Sequence, residues 1–156
     1  MTKSLANFFA LLLLCLPFYS HSADEDKEWY TSKGGEYLVR DSLHGNLHAL
    51  LSTSKSGTQS VYIVMRDSDC VDQSSDIISH DPIYINGTLT RYNQYCDGER
   101  RYFMPATRAG RENLLNEFKL KNVVKVKTYD GDTTFSFSAK GFTAKLKALN
   151  VSKKGI

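Results

Sequence analysis

The chain has 156 residues, with 20 Lys plus Arg against 17 Asp plus Glu and three cysteines. At 41% hydrophobic and 24% charged it is too apolar for a disordered tail, and it is long enough for one domain with its own core. No glycine-rich phosphate loop, dinucleotide fingerprint, GxSxG elbow or HExxH pair occurs, which argues against nucleotide, nucleophile-elbow and zinc-protease chemistry.

In chain order, Lys3, the apolar run Phe8 to Leu16 and the small residues Ser20 and Ser22 read as a signal peptide over residues 1–22, with Ala23 the first mature residue. The run falls short of the ~20 residues that span a bilayer. Leu14 is bulky where lipidation of Cys15 needs a small residue. Cys70 and Cys96 then remain, an even count in an exported chain, and predict one disulfide that stabilises the fold by roughly 3–4 kcal/mol. Residues 23–99 carry 6 basic and 13 acidic side chains, and residues 100–156 carry 13 and 4. Such a dipolar chain can steer a charged partner, but halves that interleave in the fold largely cancel.

Residues 23–28 form a charged leader, expected to be mobile. Glu36 to Arg40 and Leu47 to Leu51 read as strands, and Val61 to Met65 as a central strand buried on both faces. The acidic loop from Asp67 to Asp76 holds Cys70. Asn86-Gly87 predicts a tight hairpin pairing Ile85 with Thr88 and Tyr84 with Leu89. A turn at Cys96-Asp97-Gly98-Glu99 would set Tyr92 opposite Phe103, with a bulge or break between Leu89 and Tyr92. Arg108 to Lys119 reads as a helix whose stripe is Leu114, Leu115 and Phe118.

The run from Val123 to Ser138 checks itself. A two-residue turn at Asp130-Gly131 pairs Val126 with Phe135 and Val124 with Phe137 on one face, and Lys125 with Ser136 and Lys127 with Thr134 on the other. Beyond Gly141, Phe142, Leu146 and Leu149 mark a helical face. The expected fold is mainly β: one domain over residues 29–150, an antiparallel β-sandwich or open barrel with one or two short helices, the second C-terminal, then a basic tail over 151–156.

Two surfaces are candidates for binding. Asp67, Asp69 and Asp72 crowd the loop at Cys70; they lack the central glycine and distant glutamate of an EF-hand. Lys125 and Lys127 line the outer face of the last hairpin, while Lys140, Lys145 and Lys147, with Lys153 and Lys154, surround the final helix. Such lysines suit an anionic envelope surface or an acidic protein patch, or simply a solvated face; nucleic acid is not expected of an exported chain. His44 and His48 are four apart, but Gly45-Asn46 between them argues against a helical zinc pair. Tyr84, Tyr92, Tyr95 and Tyr102 suit either a binding surface or a half-buried sheet.

The run Ser138-Ala139-Lys140-Gly141-Phe142-Thr143-Ala144, entered through a Lys-rich hairpin, resembles the end of the bacterial invasion-associated locus B proteins, over residues 120–149. Trp29 resembles that family's early tryptophan, whereas Thr31 and Ser32 stand where the family carries a further cysteine. The resemblance implies an exported β-sandwich of the bacterial envelope linked to host-cell invasion or attachment, without known catalysis; no cofactor is expected from the residues. The residues by themselves point to an exported binding or accessory protein. The alternatives are an inhibitor or immunity protein that plugs an exported hydrolase with the acidic loop, and a small envelope hydrolase.

Overall fold

The computed structural model describes residues 24 and 26–152; the signal peptide predicted over residues 1–22, and Lys153 and Lys154, lie outside them. The strands are β1 (Tyr30–Thr31), β2 (Tyr37–Arg40), β3 (Leu47–Thr53), β4 (Gln59–Arg66), β5 (Ile78–Ile85), β6 (Thr88–Asp97), β7 (Arg100–Pro105), β8 (Val123–Lys127) and β9 (Thr134–Ser138). Helix α1 (Arg108–Leu120) precedes β8, and helix α2 (Phe142–Ser152) follows β9. All nine strands of the described residues are antiparallel in one curled half-barrel sheet of order β1-β2-β3-β4-β7-β6-β5-β8-β9. Of the two expected architectures the open barrel forms and the sandwich does not. Because β4 pairs directly with β7 and β5 with β8, the ladder never breaks to start a second sheet.

Turn chemistry sets the register. Asn86 and Gly87 both take positive φ (45° and 88°), the primed turn whose twist suits a two-residue hairpin, and Ile85 faces Thr88. Asn86 also accepts from the Lys125 amide and donates to Glu117, fixing this hairpin against β8 and α1. The last hairpin keeps the expected register, Val124 to Phe137 and Val126 to Phe135, but its turn is longer than two residues. Only Gly131 takes positive φ. Thr128 and Thr133 close a four-residue loop, inside which Asp130 accepts from the Thr128 hydroxyl and the Asp132 amide.

Two expectations for β6 are corrected. The β6–β7 turn centres on Gly98-Glu99, so Tyr92 faces Pro105 and Gln94 faces Phe103. The strand runs unbroken past Leu89 and Tyr92; Leu89 simply points outward, and the extra residue lies on β5 between His80 and Ile83, where Pro82 donates no ladder bond.

Inside the half-barrel, one end is filled. Trp29 stacks edge-on against Phe118 of α1 and Phe142 of α2, with Leu114, Leu51, Val61, Val124 and Phe137 around them. Gly110 brings α1 onto the sheet, since a Cβ there would lie 2.9 Å from the Thr90 methyl and 3.2 Å from Pro105. Asn150 of α2 accepts from Gln59 at this same end. Of the charged leader, residues 26–28 form a turn and bend, with Lys27 on Asp24 and Glu28 on Lys140.

A buried carboxylate pulls the edges of the sheet together. Asp41, 1% exposed, accepts the amides of Leu43, His44 and Gly45 in the β2–β3 turn and, at 2.7 Å, the amide of Ser136 on β9. Ser42 adds a backbone bond to the Ser136 carbonyl. The acidic and basic halves do interleave: Arg100–Glu36, Arg101–Asp67 and Lys140–Glu28 are ion pairs between them.

Candidate binding surface

The loop between β4 and β5 is built around its disulfide. Cys70, buried within a 3-10 turn (Ser68–Asp72), is bonded to Cys96 near the end of β6, with a Cα–Cα distance of 5.2 Å. Asp67 caps this turn by accepting the Asp69 amide and forms an ion pair with Arg101 of β7 at 2.6 Å. The Arg101 guanidinium, with the Asp69 amide behind it, holds the Asp67 carboxyl below its ordinary range. Asp67 is thus an anchor of the loop, while Asp69 and Asp72 stand in solvent. The anchored loop presents apolar groups to solvent: Val71 is 61% exposed and Ile77 62%, followed by Ile78, the first residue of β5, at 52%.

Beside the loop lies the outer face of the sheet. Leu50, Tyr62, Val64 and Tyr102 form a second apolar cluster there, edged by Leu38, Tyr95 and Met104. Tyr95 stacks on Tyr102 at 4.8 Å, and burial pushes the Tyr95 hydroxyl up to about 12. A groove of about 590 Å³ runs between this cluster and the loop, walled by Tyr62, Tyr95, Met104 and Ile77, with Lys55 at its rim. The run Val61 to Met65, apolar on both faces, signalled that something covers each side of β4. It did not signal that the outer cover is a small cluster with stacked tyrosines at its centre, and Met104 and Ile77 were missed because neither stands in a motif.

The predicted site residues do not form one surface. Lys125 and Lys127 point outward from β8. Lys140 pairs with Glu28, and Lys145 donates to the Thr31 hydroxyl and lies 5.9 Å from the centre of the Tyr37 ring; Lys147 is exposed on α2. Of the predicted tyrosines, Tyr92 is enclosed in the inner core, while Tyr95 and Tyr102 belong to the outer cluster. His44 lies in the β2–β3 turn, bonded to the Thr134 carbonyl, and His48 in β3. Among the described residues no three His, Cys, Asp or Glu side chains converge as metal ligands, and no helix is long and apolar enough to cross a membrane. The chain matches no family model, no curated protein and no solved structure.

Proposed function

We propose that this is an exported, non-catalytic binding protein of the bacterial envelope, and that it meets a protein partner through the Cys70-anchored loop and the tyrosine-walled groove beside it. The observation that carries the reading is the exposure of Val71, Ile77 and Ile78 on a segment fixed by a disulfide and by the Asp67–Arg101 pair. Apolar area left in water costs about 25 cal/mol per Å², and a loop ordered beforehand loses little entropy on binding. Tyr62, Tyr95 and Met104 would supply the aromatic and flexible groups typical of a contact centre, with Asp69, Asp72 and Asp76 as a polar rim. The disulfide agrees with an oxidising compartment. The likeness of residues 138–144 to the invasion-associated locus B proteins agrees with an envelope role in invasion or attachment.

The same protruding, tethered loop favours a second reading, an inhibitor inserting that loop into an exported hydrolase. The test compares affinity capture from envelope extracts by the wild type, a Val71→Ser/Ile77→Ser variant and a Lys125→Ser/Lys127→Ser variant. The partner should be lost, with affinity lowered at least about tenfold, in the first variant and kept in the second. Loss only with the lysine variant, or recovery of lipid alone, would instead assign contact to an anionic surface. A single hydrolase bound 1:1 and released by Asp69→Asn/Asp72→Asn would select the inhibitor.

A further inference from the structure

The half-barrel is filled at one end only. The register places Leu47 opposite Met65 on β3–β4 and Val126 opposite Phe135 on β8–β9, both at the end away from Trp29, Phe118 and Phe142. There the inward side chains border an open cavity of about 450 Å³ that no helix residue lines. Its walls are Ile63, Met65, Phe103, Val126 and Phe135. The volume lies in the range of small-ligand pockets, and the mouth of a β-barrel is a usual place for one.

Three of the polar groups at this mouth, on His80, Asp81 and Asp130, offer acceptors, beside the Asn46 amide and the Thr128 and Tyr129 hydroxyls. His80 bonds through Nδ1 to the Asp81 backbone carbonyl at 2.7 Å. A carbonyl can only accept, so Nδ1 carries the proton, and in the neutral ring Nε2 is left with a lone pair. The ring is held edge-on against Phe103, 4.8 Å between centroids, which fixes it in the cavity wall. Asp81 and Asp130 add two carboxylates to the lining; the Lys127 ammonium lies beside Gly131, next to Asp130, and Arg91 borders the adjoining groove at Asp81, neither among the lining residues. Asp130 engages Oδ1 with Thr128 and Asp132, leaving Oδ2 outside those bonds.

We propose that the open mouth is a binding site for a small amphipathic molecule with an apolar body and a primary-ammonium head. The body packs against Met65, Phe103 and Phe135, and the head donates to the Asp81 and Asp130 carboxylates and to His80 Nε2. Two carboxylates and no basic side chain in the lining attract a cationic donor and repel a carboxylate. The site lies on the inner face of the sheet and is independent of the outer contact surface.

Of the described methionines, Met65 lines the cavity and Met104 belongs to the outer cluster, so the protein holds its own control. Protein labelled with ¹³C at the methionine methyls is titrated with decylammonium, decanol and decanoate, each below its micellar concentration. Decylammonium should shift Met65 saturably and leave Met104 in place, binding about tenfold or more tighter than decanoate. Asp81→Asn, alone and with Asp130→Asn, should erode that preference while leaving decanol binding unchanged. Equal shifts at both methionines, no saturable shift at Met65, or decanoate binding as tightly as the amine would each overturn the proposal.

Discussion

The two ends of the half-barrel use the same strands to different ends. At one, Leu51, Val61, Val124 and Phe137 are sealed by Trp29, Phe118 and Phe142, three aromatic groups in mutual contact. At the other, Leu47, Met65, Val126 and Phe135 continue the same inward rows and meet a cavity. The sheet supplies apolar alternation along its whole length, whereas the helices cover only part of it. The difference teaches that alternation reports which way a side chain points, not whether anything waits there to receive it.

The largest effect should come from breaking the sealed end. Phe118→Ala is expected to cost about 3–5 kcal/mol in urea unfolding, the cost of a cavity that cannot collapse. Phe135→Ala at the open end should cost only about 1–2 kcal/mol, because much of that ring already borders open space. Equal losses would mean that the two ends are packed alike. Next is the disulfide, outside both ends: with the cysteines 26 positions apart, its loss in Cys70→Ser/Cys96→Ser should cost about 3.5 kcal/mol by chain entropy. A change in the urea midpoint too small to measure would remove the disulfide as a stabilising constraint.

Asp41 joins the sheet edges, so Asp41→Ala should cost about 2–3 kcal/mol by stranding buried amide donors. Hydrogen exchange separates this from general loosening. The Ser136 amide should exchange faster in the variant while β4 amides such as Ile63 keep their protection, and uniform acceleration would count against a closure role.

What was legible in the residues was local. Asn86-Gly87 announces a primed turn because few other pairs tolerate two positive φ angles, and both flanking pairs formed. Val124, Val126 and Phe137 announced their face because a slip of one residue would bury Lys125 and Lys127. Cys70 and Cys96 paired as the even count required. Gly98 misled by one position, since a glycine fits either central place of a tight turn and only the partner strand decides. Less visible was everything set by distance in the chain. Asp41 looks like any turn aspartate until Ser136, 95 residues on, arrives at its carboxylate. The groove at Tyr95 and Ile77 and the cavity at Met65 and Phe103 each need strands brought together by the β4–β7 pairing, which no short pattern encodes.

Tyr92 offers the finest probe of how far the open end reaches. It faces His80 in the ladder, is buried in the inner core, and its hydroxyl finds no hydrogen-bond partner there. Burial alone pushes its ionisation far above the ordinary phenol value of 10.0. The sign follows from linkage: the unfolded phenol loses its proton first, so the folded state's advantage is complete below about pH 10 and shrinks as pH rises beyond it, by up to about 1.4 kcal/mol per pH unit. Tyr92→Phe removes that titration and relieves an unpaired buried hydroxyl, so stability at neutral pH should change by less than about 1 kcal/mol, with a gain the expected direction. Urea unfolding from pH 8 to 11 should then show a shallower alkaline decline in the variant. Identical declines in both proteins would mean that water from the open mouth already reaches the Tyr92 hydroxyl, and that the sealed core ends short of β6.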